Sequence, residues 1–247
     1  MATEGAFQGV NSSGQPYEHD ERWSAVDRYA LQHLHQNHPY AEALVYAAEL
    51  SMKEGLPNIE VSPLQGKFLA LQCQLINAKR ILEVGTLGGY SSIWLASTGP
   101  DVTVTTIEID PHHAEVARRA INNAGLSGRI TVVEGAGVDV LPKIREEVEA
   151  GSLEKYDMVF IDADKQNNLN YLNESLRMCR SRALIIVDNV VRKGQLASAE
   201  AAEKDERVLG ARKVVEAAGK DDRVLSATLM QTVGEKNYDG FLMCVAT

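Results

Sequence analysis

The chain has 247 residues, 45% of them hydrophobic, which is enough to bury a substantial core as one large domain. A formal net charge of −9 argues against nucleic acid or an anionic membrane as partner, since both attract basic surfaces, and leaves a small molecule as the expected ligand. Cys73, Cys179 and Cys244 are odd in number, far apart and set among apolar neighbours, which reads as buried free thiols in a reducing compartment. There is no basic-then-apolar leader and no apolar run of about 18 residues, so a cytoplasmic location is expected.

Residues 1–20 are polar and rich in Gly and Ser, an expected N-terminal arm without packed structure, and residues 21–247 read as a single domain. From Trp23 the segments "WSAVDRYALQHLHQN" and "YAEALVYAAELSMKEG" carry apolar residues at helical spacing, the second closed by Gly55 as a C-terminal cap. "PLQGKFLALQCQLINA" predicts a third helix. The period then changes. "RILEVG", "VTVTTIEID", "RITVVEG", "YDMVFIDAD" and "RALIIVDN" are short runs rich in Val and Ile, mostly continuous rather than alternating, as strands buried on both faces should be.

Helical segments separate these runs: "YSSIWLAST", "PHHAEVARRAINNAG", "DVLPKIREEVEAG" and "NLNYLNESLRMCR". The alternation predicts right-handed crossovers and an α/β fold with a doubly wound, mostly parallel sheet. "ASAEAAEKDERVLGARKVVEAAG" predicts one last helix before "RVLSATLM" and "GFLMCV", which would close the sheet as a hairpin. In open α/β sheets the ligand crevice lies outside the C-terminal ends of the strands, so Glu83, Glu108, Asp162 and Asp188 should gather at one rim.

"ILEVGTLGGYSS" sets a strand, a glycine turn and a helix in succession, which lets a nucleotide approach the backbone closely. The spacing of Gly85, Gly88 and Gly89 departs from G-x-G-x-x-G. Glu83 on the strand would repel the phosphates of a dinucleotide and suits a cation instead. S-adenosylmethionine, with a sulfonium and an ammonium and no phosphate, fits such a strand end. Glu108, ending the second strand, is placed to accept from ribose hydroxyls, a role that nicotinamide cofactors would share.

Asp162 ends the fourth strand, and Asp188 with Asn189 ends the fifth, so adjacent strands bring three hard oxygen donors within reach of one ion. With no Cys or suitably spaced His beside them, the donors point to Mg²⁺, or to Mn²⁺ or Ca²⁺. Open positions on such an ion suit the two oxygens of a catechol-like vicinal diol. Lys165, three residues beyond Asp162, is the candidate base, against the plainer reading of a solvated partner to the aspartates. Asp164 reads as a capping or hinge residue rather than a ligand. The histidines lack paired partners for zinc; His33, His35 and His38 read as part of a surface helix region.

Together these motifs resemble the cation-dependent O-methyltransferases, the family of catechol and caffeoyl-coenzyme A O-methyltransferases within the class I S-adenosylmethionine-dependent methyltransferases. The resemblance runs from about Val61 to the C-terminus and is carried by "ILEVGTLGGYSSIWLA", "TIEIDP", "VFIDADKQNNLNYL", "LIIVDNVVRKGQ" and "YDGFLMCV". It implies a seven-stranded Rossmann-like sheet with an antiparallel last strand, and a homodimer. It implies a metal on Asp162, Asp188 and Asn189 and a base at Lys165. Around S-adenosylmethionine it implies Val61, Glu83, Gly85, Ser91, Glu108, Ala136 and, through its place at the same rim, Asp162. The acceptor would be a small phenol.

Two positions depart from the family pattern. Asn168 stands where Tyr is common, and Arg192 stands where the plant caffeoyl-coenzyme A enzymes have Trp; both border the acceptor side. A nicotinamide oxidoreductase would share the sheet and Glu108 but is opposed by Glu83 and by the lack of a Tyr-x-x-x-Lys pair. A non-catalytic binding protein would leave Asp162, Asp188 and Asn189 without a task.

Overall fold

The computed structural model describes residues 20–236 and 238–247, so the arm expected over residues 1–20 lies, but for Asp20, outside the described residues. Three helices lead: α1 (Glu21–Leu34), α2 (Ala41–Lys53) and α3 (Pro63–Leu75). Asp20 caps α1 by accepting from Arg22 N, and Gly55 follows α2 at φ 77°, a conformation that Gly adopts without a Cβ penalty. A reciprocal pair of bonds between Ser62 and Gln65 starts α3.

The remainder alternates as expected: β1 (Arg80–Val84), α4 (Tyr90–Ala96), β2 (Thr103–Glu108), α5 (Pro111–Asn123), β3 (Ile130–Glu134), α6 (Gly137–Glu149), β4 (Tyr156–Ile161), α7 (Asn168–Met178) and β5 (Cys179–Val187). The segment expected as one last helix is two, α8 (Ala199–Lys204) and α9 (Glu206–Ala218). Asp205 breaks it: its backbone is extended at φ −132°, ψ 110°, and its side chain accepts from Arg207 N as the cap of α9. β6 (Val224–Val233) and β7 (Tyr238–Ala246) then form the antiparallel hairpin.

The strands make one seven-stranded sheet in the order β3-β2-β1-β4-β5-β7-β6, parallel up to β5. Alternate residues of the central strands feed two cores. Ile81, Met158, Phe160, Leu184 and Ile186 join Leu44, Leu69, Ile93 and Ile121 from α2 to α5 on one face. Leu82, Val159, Ile161, Ile185 and Val187 join Leu141, Leu172 and Val214 from α6, α7 and α9 on the other. Burial on both faces is why these strands are apolar without alternation. The chain order reverses between β1 and β4, and that switch point opens a crevice at the strand ends. Cys73, Cys179 and Cys244 are buried and free, and burial pushes each thiol up to about 12. Among the described residues no helix is long and apolar enough to cross a membrane.

Candidate active site

The hydrogen-bond ladder runs one residue past β1, β3, β4 and β5 and sets the expected residues in a row. Gly135 N donates to Glu108 O at 2.8 Å, Gly85 N to Ile107 O at 3.0 Å, Asp162 N to Val84 O at 2.8 Å and Asp188 N to Ile161 O at 2.9 Å. A side chain at Gly85, where φ is 104°, would overlap the Asp162 carbonyl, so the glycine turn lies directly against the end of β4. Asp162 thus borders both halves of the rim.

Glu83 is fully buried at the end of β1. Its Oε2 accepts from Thr106 Oγ1 at 2.6 Å and from the Ser92 hydroxyl, while Oε1 is buried without a partner. Burial pushes its carboxyl up to about 7 against the hydrogen bonds of Ser92 and Thr106, which favour the charged form; the Asp162 charge adds to the rise. An unpaired buried carboxylate oxygen is costly unless a donor or cation meets it.

Glu108 is tied to the glycine turn. Its Oε2 accepts from Thr86 N at 3.2 Å and Leu87 N at 2.7 Å, and Oε1 accepts from Asp110 N at 3.0 Å. The turn is therefore held in shape by the acid of the next strand, a contact that sequence spacing does not reveal. Thr106 and Ser92, which carry no motif of their own, complete the network around Glu83, with Thr106 also 2.6 Å from the Thr86 hydroxyl.

At the ends of β4 and β5, Lys165 Nζ donates to Asp162 Oδ1 at 2.6 Å, and both groups are mostly shielded from solvent. Lys165 belongs to a short 3-10 turn, Lys165–Asn167. α9 closes over this turn at Gly210, where any Cβ would overlap the Lys165 carbonyl and the Gln166 backbone. Asp188 is buried; burial first, and then the Asp162 charge, hold its carboxyl well above the usual carboxylate range. Its Oδ1 accepts from Asn189 N at 2.6 Å and Asn189 Nδ2 at 3.2 Å, with Asn189 left-handed at φ 56°. Asp164 makes no side-chain cap; it accepts instead from the Tyr171 hydroxyl and Asn167 Nδ2.

Sequence reasoning missed Asp239. Because β7 runs antiparallel, the start of β7 lies at the rim, beside the C-terminal ends of the others, and Val190 N donates to Gly240 O at 3.2 Å. Asp239 is buried there, and its Oδ1 accepts from Arg192 N at 2.9 Å and Gly240 N at 3.0 Å. Burial raises its carboxyl, while Arg192 and Lys165 lie near enough to oppose the rise. The available signal was an acid opening an otherwise apolar strand within "YDGFLMCV".

The other expected residues are placed as follows. Ala136 caps α6 without a side-chain bond, and Gly137 packs close to Val84 and Tyr171, which draws the start of α6 to the end of β1. Val61 is buried in the core shared with Tyr90 and Ile93, just before α3. Ser91 is buried in the first turn of α4. Asn168 is fully buried with neither polar side-chain atom paired. His35 and His38 are less exposed than a surface helix implies: both rings pack on Trp94, at 5.6 and 4.4 Å between centroids. Among the described residues no three His, Cys, Asp or Glu side chains converge as ligands, so the candidate ion site has two carboxylates and the Asn189 amide.

The geometry is that of an α/β fold with buried carboxyls gathered at its strand-end crevice. The chain belongs to the O-methyltransferase family, whose model matches residues 33–245. It is 48% identical over 232 residues to the O-methyltransferase imqG of Aspergillus flavus, covering 94% of each chain. It is 44% identical over 204 residues to a catechol O-methyltransferase of Mycobacterium tuberculosis, covering 82% of this chain and 88% of that one. The solved structure of the O-methyltransferase TomG from Streptomyces achromogenes, involved in tomaymycin synthesis and in complex with S-adenosylmethionine, superimposes with a TM-score of 0.84 at 38% identity, covering 93% of this chain and 99% of that one.

Proposed function

We propose that this O-methyltransferase moves the methyl group of S-adenosylmethionine to one oxygen of a vicinal dihydroxy aromatic, with a hard divalent ion, Mg²⁺ ahead of Mn²⁺ or Ca²⁺, held by Asp162, Asp188 and Asn189. One observation carries the reading: two buried carboxyls whose charged forms lack a cationic partner among the described residues meet at the rim, Glu83 with an unpaired oxygen and Asp188 crowded by Asp162. Each would be relieved by a cation, the first by the cofactor's ammonium and the second by an ion. The S-adenosylmethionine bound to TomG supports the cofactor, and the catechol in the name of the mycobacterial relative supports the acceptor class.

The donor set fits a hard ion, being two carboxylates and an amide oxygen with no thiolate or imidazole among them. Such an ion, when bound, lowers the pKa of a bound hydroxyl and fixes its direction. The chain's own residues do the rest. Glu83 Oε1 accepts from the ammonium. Glu108 shares its carboxylate between the turn and the ribose, and Ala136 and Val61 flank the adenosine. Lys165 Nζ, as the neutral amine, takes the proton that leaves the attacked hydroxyl and becomes the ammonium, as the new O–C bond forms and the S–C bond breaks to release S-adenosylhomocysteine. The fold's contribution is to hold that oxygen in line with the methyl at about 3 Å.

Turnover of methyl 3,4-dihydroxybenzoate against its 3-hydroxy and 4-hydroxy analogues tests this. The diol alone should react well, chelation should abolish the reaction, and Mg²⁺ should restore it. Equal turnover of all three, or full activity in chelator, overturns the ion-assisted reading.

We also infer a homodimer built on β6. This ten-residue edge strand has most residues exposed on both faces, among them Leu225, Met230 and Val233, each just over half exposed. Long apolar edges of this kind pair or aggregate unless covered.

A further inference from the structure

We propose that Arg192 forms an anion subsite on the acceptor side of the rim, so that the enzyme prefers catechols carrying a carboxylate. This rests on the vicinal-diol reading and names the substrate class within it. The main chain fixes Arg192 by two unusual features: its N–H is held by buried Asp239, and it begins a left-handed run, φ 53° at Arg192, 57° at Lys193 and 83° at Gly194. Such backbone costs about 1 kcal/mol or more per non-glycine residue and persists only where surrounding contacts impose it. On the far side of the loop, Arg212 donates to Leu196 O at 2.8 Å, so the loop is tied to α9 as well as to β7.

One donor of the side chain so positioned is unsatisfied. Arg192 Nε is buried with no hydrogen-bond partner. Two acids feel its charge: Asp205, whose carboxylate accepts from the Arg207 guanidinium, and Asp239, which spends Oδ1 on two main-chain N–H groups. Next door, burial and then the Arg192 charge hold Lys193 below its ordinary pKa, so positive charge is crowded here while the rest of the rim is acidic. Asp239 also lies within electrostatic range of Asp188 and Lys165, which puts Arg192 at the border of the proposed acceptor position.

A guanidinium offers a planar fork of donors that matches a carboxylate. An acidic acceptor would satisfy Arg192 and would be shielded from the repulsion of Asp162, Asp188 and Asp239. A neutral one would offer the guanidinium no charge-assisted partner.

The test compares 3,4-dihydroxybenzoate with its methyl ester, which keeps the diol and removes the charge, in the wild type and in Arg192→Gln and Arg192→Lys. The wild type should favour the acid through KM. Arg192→Gln should lower the acid-to-ester ratio of kcat/KM by about tenfold, and Arg192→Lys should recover part of it. An unchanged ratio in Arg192→Gln overturns the subsite. If the wild type turns over neither compound, the diol reading fails. Calorimetric binding of the acid to the enzyme saturated with S-adenosylhomocysteine and Mg²⁺ then decides for Arg192 if the Gln variant loses it, and against Arg192 if it does not.

Discussion

Glu83 links protonation to stability. Its carboxyl is raised from 4.5 to about 7 in the fold, so the folded state holds a proton that the unfolded state releases. The stabilisation is full below pH ~4.5 and is lost as pH rises through ~7, a swing on the order of 3 kcal/mol. Glu83→Gln cannot titrate, so its melting temperature should decline less between pH 5 and pH 8 than that of the wild type. Parallel curves would mean that the buried carboxyl does not titrate in this window. The same variant should weaken binding of S-adenosylhomocysteine, read by calorimetry. Lys165→Ala should lower kcat by about 10²- to 10⁴-fold near neutral pH, with partial recovery at higher pH where the phenol ionises unaided. A flat loss across pH would make Lys165 a partner of Asp162 only. The identities of Glu83, Asp162, Lys165 and Asp188 were legible because each follows an apolar run. Their partners Ser92, Thr106 and the orphaned oxygen of Glu83 were not, since those contacts join separate strands and helices.

Among the elements, the contact between α9 and the Lys165–Asn167 turn rests on Gly210. Gly210→Ala should gain a little helix propensity and lose more to overlap with the Lys165 carbonyl, for a net destabilisation of about 1–2 kcal/mol. Because the overlap falls on the turn that carries Lys165, kcat should fall further than affinity for S-adenosylhomocysteine; equal losses would indicate general loosening. Strands were readable from their continuous apolar runs, as burial on both faces dictates. The break at Asp205 was not, because "EKDERV" keeps helix-forming residues on both sides and only the capping bond to Arg207 N makes the interruption favourable.

For the whole molecule, the exposed edge predicts assembly. Sedimentation should show a dimer, and Met230→Glu should shift it towards monomer; a monomeric wild type removes the β6 interface. Strand order was the least legible property. The sequence suggested a closing hairpin but not that β7, following β6 in the chain, lies inside it against β5. That inversion is why an acid at the start of a strand reached the rim, and why Asp239 escaped a rule built on strand C-terminal ends.

The same inversion would tie the proposed anion subsite to the β5–β7 seam. β6 bonds only to β7, so parting β7 from β5 would carry the whole hairpin away, with Asp239, and free the Arg192 N–H. Opening of that seam and release of the loop that carries Arg192 would then be one event. In hydrogen exchange, saturating the enzyme with an acidic catechol should slow the amides at the β5–β7 seam, Ile185 to Val187 against Leu242 to Cys244, more than those of β2 and β3. A ligand held at one loop would thus be felt as protection along the seam between two strands.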